Sequence, residues 1–153
     1  MTQLIGTEVD KLGNEIKVHF CNHENMSAKV TAFFARQWGE LLEAGFATSN
    51  FIPSIKSCRV IYLTYNDEII GLRVWVWEHS ATRIILTAID KNYRRRGLLK
   101  LIVKYYDGRV KNGNCTKSIT FIHVGNTAMM AAARQAGYET EIVKMIKRYD
   151  DNK

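Results

Sequence analysis

The sequence lacks the features that mark several classes of protein. It contains one proline, so no proline-rich linker divides its 153 residues, and a chain of this length is typical of a single domain. No apolar run reaches the roughly 18 residues that a membrane-spanning helix needs. The polar N-terminus, MTQLIGTEVDKLGNE, lacks the apolar core of a secretory signal peptide, so we expect a cytoplasmic protein that does not bind a membrane.

Cysteine is also scarce, and the charge is unbalanced. Cys21, Cys58 and Cys115 lie far apart and form no C-x-x-C pair, so neither a disulfide framework nor a metal site is predicted. Reduced thiols are typical of the cytosol. A net charge of +7 favours anionic partners, namely nucleic acid, nucleotide-like cofactors or acidic proteins, and charge alone does not choose among these.

The most informative stretch runs from Ile84 to Lys104, IILTAIDKNYRRRGLLKLIVK. Its first residues are β-branched or apolar, which is typical of a buried strand, and after Gly97 the apolar residues recur at helical spacing. The stretch therefore predicts a strand, an arginine-rich loop and a helix. A loop that enters a helix N-terminus offers unpaired backbone N–H groups and the positive end of the helix dipole, a combination that suits pyrophosphate.

The loop has neither the G-x-x-x-x-G-K-S/T spacing of a Walker P-loop nor the pattern G-x-G-x-x-G. It resembles motif A of the GCN5-related N-acetyltransferases, the GNAT superfamily, in which R/Q-x-x-G-x-G/A wraps the pyrophosphate of acetyl-CoA. The six matching positions are Arg94, Arg95, Arg96, Gly97, Leu98 and Leu99. Two residues depart from the pattern, because Lys91 replaces a frequent proline and Leu99 replaces a small residue that eases close backbone approach to phosphate.

A second motif extends the resemblance. Family members often carry N-x-x-A-x-x-x-Y-x-x-x-G-F after their fifth strand, and Asn126, Gly137 and Tyr138 match its Asn, Gly and Phe. Asn126 is also well placed to cap a helix, and the two roles can coexist. The resemblance rests on motifs over residues 83–149 and on element order over the first eighty residues.

The periodicity along the chain predicts the order β-α-β-β-β-α-β-α-β. Strands are expected over residues 15–21, 58–65, 68–77, 84–90, 116–124 and 138–149, helices over 26–46, 98–112 and 127–136, and a loop or short helix over 47–55. This order is similar to the GNAT, or acyl-CoA N-acyltransferase, fold. That is an α/β (α+β) fold with a central mixed, mostly antiparallel sheet flanked by helices. We expect one such domain over residues 1–153, with residues 1–14 as a polar, peripheral segment.

The resemblance implies an acetyl-CoA-dependent N-acetyltransferase that moves an acetyl group from the CoA thioester to an amine. Main-chain groups of Thr87 and Ile89 would meet the acetyl and pantetheine parts, the backbone of Arg94 to Leu99 the pyrophosphate, and Asn126 the other side of the cofactor. A splay between the central and fifth strands after Ile89 would admit the pantetheine arm. No metal is implied.

The acceptor amine stays open among polyamines, aminoglycosides, protein termini, lysines and modified nucleic acids. The basic charge favours an acceptor attached to an acidic macromolecule. A homodimer also stays open. In strand 68–77, Trp75 and Trp77 lie on one face with Arg73, where they either line a substrate groove or are covered by the first helix.

The residues expected for proton transfer depart from the family. Ala133 stands where the family's usual acid is a tyrosine, and Arg83 stands where some members carry a glutamate base. His123, near the predicted splay, is our catalytic candidate because histidine titrates near neutral pH. Further candidates are Glu78, His79, Tyr138, Tyr149 and water.

Two other functions remain open. Ala133 and Leu99 also fit a GNAT-fold protein with weakened catalysis that binds CoA as a sensing or inhibitory interaction module. The arginine triplet could instead contact nucleic-acid phosphates, although no nucleic-acid-binding motif accompanies it.

Overall fold

A computed structural model of the chain describes residues 2–47, 57–142 and 145–149. Within these ranges the chain forms six strands and three α-helices, numbered here in chain order. The strands are β1 (Gln3–Val9), β2 (Glu15–Asn22), β3 (Arg59–Tyr65), β4 (Glu68–Glu78), β5 (Ala81–Ile89) and β6 (Lys117–Thr120). The helices are α1 (Ala28–Glu43), α2 (Leu98–Asn112) and α3 (Thr127–Gln135). The predicted loop over residues 47–55 lies outside the described residues except for Ala47.

The six strands form one sheet in the order β1-β2-β3-β4-β5-β6. The first five are antiparallel neighbours, whereas β6 is parallel to β5 and is reached through α2. The predicted mixed, mostly antiparallel sheet flanked by helices is therefore confirmed. The β5–β6 ladder ends at the pair Ile84–Thr120, although β5 continues to Ile89. The two strands thus separate after Ile84 and not after Ile89 as predicted, because only four residues of β6 are in strand conformation.

Apolar side chains cover both faces of the central strands, so each face carries a helix. On one face α1 packs Val30 and Phe33 against β3, β4 and β5. On the other face α2 packs Ile102 and Tyr106 against Trp75, which is 1% exposed and meets the Tyr106 ring edge-on at 5.1 Å. Trp75 is therefore a core residue, but it lies under α2 and not under the first helix.

Residues 1–14 contain a strand that the sequence did not predict. β1 pairs with β2 along the sheet edge, and a tight turn over residues 10–14 joins them. The buried Asp10 carboxylate organises this turn by accepting hydrogen bonds from the N–H groups of Leu12 and Asn14, at 2.8 and 2.9 Å. The N–H of Lys11 donates to the carbonyl of Arg96 at 3.2 Å, so the β1–β2 turn contacts the arginine loop, residues 90–97.

The predicted last strand over residues 138–149 is wrong for the residues that the structure describes. Residues 138–142 and 145–149 have no regular secondary structure, and Ile142, Met145 and Tyr149 are largely exposed. Apolar alternation places side chains on two faces, but a strand also needs a neighbour for its backbone N–H and C=O groups. The strand predicted over residues 116–124 ends at Thr120, so it offers no such neighbour beyond that residue.

Candidate functional site

The separation of β5 from β6 opens a cleft whose other walls are α2 and α3. Thr87 of β5, Leu99 of α2 and Ala133 of α3 line it, together with Arg73 from β4 and Tyr138 beyond α3. The free space between these residues measures about 20 Å³. A cavity of this size holds about one water molecule, so a larger ligand enters only if a wall moves.

The predicted strand, loop and helix are confirmed at the mouth of this cleft. β5 ends at Ile89, and α2 begins at Leu98 with Gly97 as its N-cap residue. Gly97 has φ +80°, a left-handed conformation that favours glycine, and it provides no side-chain cap. The first backbone N–H groups of α2 and the positive end of its dipole are therefore open to an anion.

Two of the three loop arginines are held by the chain itself. Arg94 Nε donates to the carbonyl of Ile89 at 3.2 Å. Arg96 donates to the carbonyl of Asn92 at 3.3 Å, stacks on the Tyr93 ring at 4.8 Å and lies 4.0 Å from the buried Asp10 carboxylate. The exposed Arg95 adopts φ +64°. The side chains of Arg94 and Arg96 thus shape the loop and leave its backbone to face the cleft mouth.

The β1–β2 turn supports the arginine loop from the opposite side. Desolvation opposes ionisation of Asp10, but hydrogen bonds from Asn14 and Leu12, helped by the charge of Arg96, outweigh it and lower the pKa of this carboxyl. Three carbon atoms of the Lys11 side chain lie 3.5–4.0 Å from the position that a β-carbon on residue 97 would occupy. Lys11 therefore brings a further cation to the helix N-terminus, and no local sequence signal pointed to it.

The edge of β5 that faces β6 has no strand partner beyond Ile84 in the described residues. Thr87 and Ile89, both expected to face the cofactor, lie in this unpaired part of β5. Backbone groups at an open edge need hydrogen-bond partners, so an extended ligand can bind there as an additional strand would. Asn126 is confirmed as the N-cap of α3, where its side-chain oxygen accepts from the N–H of Met129 at 3.3 Å.

Of the residues proposed for proton transfer, the structure brings Tyr138 to the cleft. His123 lies in an exposed loop after β6, where its Nδ1 accepts from the N–H of Gly125 at 2.9 Å. Glu78 forms an ion pair with Arg83 at the exposed turn between β4 and β5. The candidates His79 and Tyr149 are also exposed.

Arg73 is a site residue whose role the sequence alone did not predict. It is 5% exposed, and its Nε donates to Thr87 Oγ1 at 2.9 Å. Its Nη1 is buried without a hydrogen-bond partner, although the side chain lines the cleft. The sequence signal that could have identified Arg73 is the presence of a charged residue within the apolar alternation of β4, because charged side chains are rarely buried unless they are paired.

A chain of hydroxyl groups leads away from Arg73 under α2. The Tyr138 hydroxyl is 2.8 Å from Ser118 Oγ, which is 2.5 Å from the Tyr106 hydroxyl. Tyr106 is in turn 2.6 Å from Thr82 Oγ1. Burial raises the pKa of Tyr106, so this group stays neutral at physiological pH. This series of hydroxyl groups fixes Tyr138 at the cleft. It places neutral oxygen atoms, which carry no negative charge, near the guanidinium of Arg73.

Two kinds of site are not found in the part of the chain that the structure describes. No group of three or more His, Cys, Asp or Glu residues lies close enough together to hold a metal ion. Over the same residues, no helix has both the length and the apolar character needed to cross a membrane.

Comparison with known proteins gives a family and a fold. The family model described as acetyltransferase (GNAT) family matches residues 27–138. No curated protein sequence matches the chain.

Three solved structures illustrate the fold. One is an aminoglycoside acetyltransferase, meta-AAC0020, from an uncultured soil metagenomic sample, with 16% identity and a TM-score of 0.61 over 88% of this chain and 97% of that one. Another is the aminoglycoside N-acetyltransferase AAC(6')-Iy in complex with CoA, with 12% identity and a TM-score of 0.63 over 87% and 98%. A ribosomal-protein-alanine N-acetyltransferase from Brucella melitensis biovar Abortus 2308 has 7% identity and a TM-score of 0.62 over 88% and 99%. At these identities the likeness concerns the fold alone.

Proposed function

The chain belongs to the acetyltransferase (GNAT) family, and we propose that it transfers the acetyl group of acetyl-CoA to an amine. The observation that carries this proposal is the position of Gly97. At φ +80° it opens the N-terminus of α2 beyond the end of β5, and the last five residues of β5 have an edge that is unpaired on the β6 side. An anion site and an open strand edge thus adjoin one another, which suits a ligand with a pyrophosphate at one end and an extended amide chain behind it.

Different residues around the cleft would bind different parts of the cofactor. The backbone of Arg94 to Leu99 would hold the pyrophosphate, with Lys11 adding charge beside Gly97. Main-chain groups of Thr87 and Ile89 would bind the acetyl and pantetheine parts, and Asn126 would approach from α3. Because α3 carries no buried residue, moving it to widen the 20 Å³ cavity removes little apolar surface from contact.

In the reaction, the amine nitrogen bonds to the acetyl carbon, the carbon–sulfur bond breaks with its electron pair left on sulfur, and the nitrogen loses a proton. CoA supplies the activated thioester, and the chain orients it beside the amine. His123 remains a proposed carrier of the amine proton, since an exposed imidazole can exchange that proton with water. The basic charge supports an acceptor amine attached to an acidic macromolecule.

A second candidate function is a catalytically weakened protein that binds CoA as an interaction module. Ala133 lines the cleft at the position where the family's usual acid is a tyrosine, and Leu99 narrows the same cleft. This candidate differs from the first in turnover and not in cofactor binding. Consumption of acetyl-CoA with a panel of amines, including an acidic protein and an RNA as acceptors, separates the two.

Cofactor binding is tested by thermal unfolding and calorimetry with CoA. Saturating CoA should raise Tm, because a ligand that binds only the folded state stabilises it. Gly97→Val should weaken CoA binding about tenfold or more, since a left-handed conformation costs a residue with a side chain roughly 1–2 kcal/mol. Arg95→Ala is the matched control and should lose less CoA affinity than Gly97→Val. An unmoved Tm for the wild type would refute the proposal, and the reverse order of affinities would mean that side-chain charge holds the phosphates.

A further inference from the structure

The guanidinium of Arg73 is a buried cation without a carboxylate in contact. Thr87 of β5, Tyr106 of α2 and Tyr138 beyond α3 lie beside it, whereas the carboxylate of Asp107 acts on it only from a greater distance. Within the described residues no carboxylate lies within 4.0 Å of it. The face of Tyr106 lies 4.7 Å from its central carbon, and the hydroxyl of Thr87 meets Nε, so its contacts are with neutral groups.

Such an arrangement is costly for a protein that needs only a packed core. A buried charge that is not paired destabilises the folded state, and an apolar side chain of similar volume is often as good or better. Burial lowers the pKa of Arg73, and the nearby Tyr138, Tyr106 and Asp107 only partly oppose this effect. Arginine nevertheless stays protonated in proteins. Since Nη1 lacks a partner and the side chain lines the cleft, the missing anion is expected to arrive with the ligand.

We propose that Arg73 is a catalytic residue that stabilises negative charge on the sulfur of CoA. The inference rests on the proposed function, because it concerns the same cleft. When the carbon–nitrogen bond forms and the carbon–sulfur bond breaks, the electron pair stays on sulfur, and the amine proton goes to His123 or to water. A cation that favours the thiolate allows sulfur to leave without first receiving a proton. This role gives a physical account of how the reaction proceeds with alanine at position 133.

The surrounding hydroxyl groups hold Arg73 for this task. Tyr138 is fixed through Ser118 to Tyr106, and the Tyr106 ring lies against the guanidinium. These groups orient the cation without neutralising it. A carboxylate in the same place would cancel the charge that the sulfur needs.

The alternative is that Arg73 only supports the sheet, and stability measurements separate the two roles. Arg73→Met keeps an unbranched apolar stem, shortens the side chain by the end of the guanidinium and removes its charge. If Arg73 serves the ligand, Tm of the unliganded Arg73→Met variant should equal or exceed that of the wild type. A clear fall in Tm, or failure of this variant to fold, would make Arg73 a structural residue and overturn the proposal.

The direct test titrates the thiol of bound CoA by the ultraviolet absorbance of its thiolate. On the wild-type protein the thiol pKa should lie about 1–3 units below that of free CoA, as for a group beside an opposite charge. Arg73→Met should abolish this difference, and Arg73→Lys should keep part of it. Arg59→Met, which removes an arginine of β3 outside the cleft, is the matched control and should behave as wild type.

The absorbance of the protein's own three thiols, Cys21, Cys58 and Cys115, has to be subtracted in this titration. Burial raises the pKa of Cys21 to about 11 and also raises the pKa of Cys58, so each spectrum is corrected with the same variant lacking CoA. If calorimetry shows that the wild type does not bind CoA, the proposed function fails and this inference with it. If CoA binds and its thiol pKa is the same on wild type and Arg73→Met, the proposed function stands and the role of Arg73 is refuted.

Discussion

The region formed by β1–β5, α1 and α2 is packed very differently from the chain after α2. Every buried apolar residue of the described chain lies at or before Val110. After that position, six large apolar side chains are 57–88% exposed, namely Phe121, Val124, Ile142, Met145, Ile146 and Tyr149. The cleft lies where these two regions meet, so one of its walls is part of a packed core and the other is not.

This difference suits a ligand that enters as an additional strand. β5 is held by a long ladder to β4 on one side, which fixes the open edge on the other. The opposite wall, α3, faces the cleft with Met129, Ala132 and Ala133, none of which is buried. Free energy of packing scales with the apolar area buried, so α3 is the wall that moves at least cost. The packed region therefore defines the position of the ligand, and the C-terminal region admits it.

The packing contrast predicts the largest mutational effect. Ile102 of α2 is 0% exposed, whereas Ile142 is 81% exposed. Ile102→Ala should lower the free energy of unfolding by about 2–5 kcal/mol, because it removes buried methyl groups and leaves a cavity. Ile142→Ala, the matched control, should change it by no more than about 0.5 kcal/mol. Urea unfolding of both variants measures the two values, and similar losses would contradict the contrast.

Hydrogen exchange tests the same difference in packing between α2 and α3, the two helices that line the cleft. Without CoA, amides of α3 should exchange faster than those in the middle of α2, because α3 has no buried residue and α2 has four. At a CoA concentration one hundred times Kd, protection of α3 should rise by up to about 2.7 kcal/mol, which slows exchange roughly a hundredfold. Equal protection of the two helices before CoA is added would mean that α3 is not a movable wall.

Local patterns predicted the part of the site that is made by neighbouring residues. The apolar run before Asp90, the helical spacing after Leu98 and the glycine between them specify a strand, a turn and a helix without help from the rest of the chain. The N-cap role of Asn126 was predictable for the same reason. Such features depend on backbone conformation over a few residues, and the sequence contains that information directly.

Features formed by residues that are far apart in sequence were either not predicted or predicted wrongly. Lys11 reaches Gly97 because a hairpin folds back on the arginine loop, a contact between residues far apart in sequence. Arg73 becomes a cleft residue only through its place across from Thr87. The strand expected over residues 138–149 had a suitable alternation of apolar and polar residues but needed a neighbouring strand. The residue at which β6 ends depends on pairing within the sheet and not on this alternation.

The smallest predicted effect lies in the packed region, at the turn that supports the arginine loop. Hydrogen bonds from Asn14 and Leu12 overcome desolvation and lower the pKa of Asp10 below its ordinary value of 3.8. A carboxyl with a lowered folded-state pKa contributes stability that is present above the unfolded-state pKa and is lost as pH falls through the folded-state pKa. Asp10→Asn should therefore cost about 1 kcal/mol at pH 7, the usual value of a hydrogen bond, and the difference from wild type should shrink below pH 3.8.

Thermal unfolding of wild type and Asp10→Asn from pH 7 down to pH 3 measures this difference. Lys11→Ala keeps the carboxylate and removes the neighbouring cation, so its stability should follow the pH dependence of the wild type while its affinity for CoA falls. Asp10→Asn should also weaken CoA binding modestly, because the N–H of Lys11 holds the carbonyl of Arg96 through this turn. A Tm difference that stays constant down to pH 3 would show that the charge of Asp10 does not stabilise the turn, and the packed region would then support the arginine loop through backbone contacts alone.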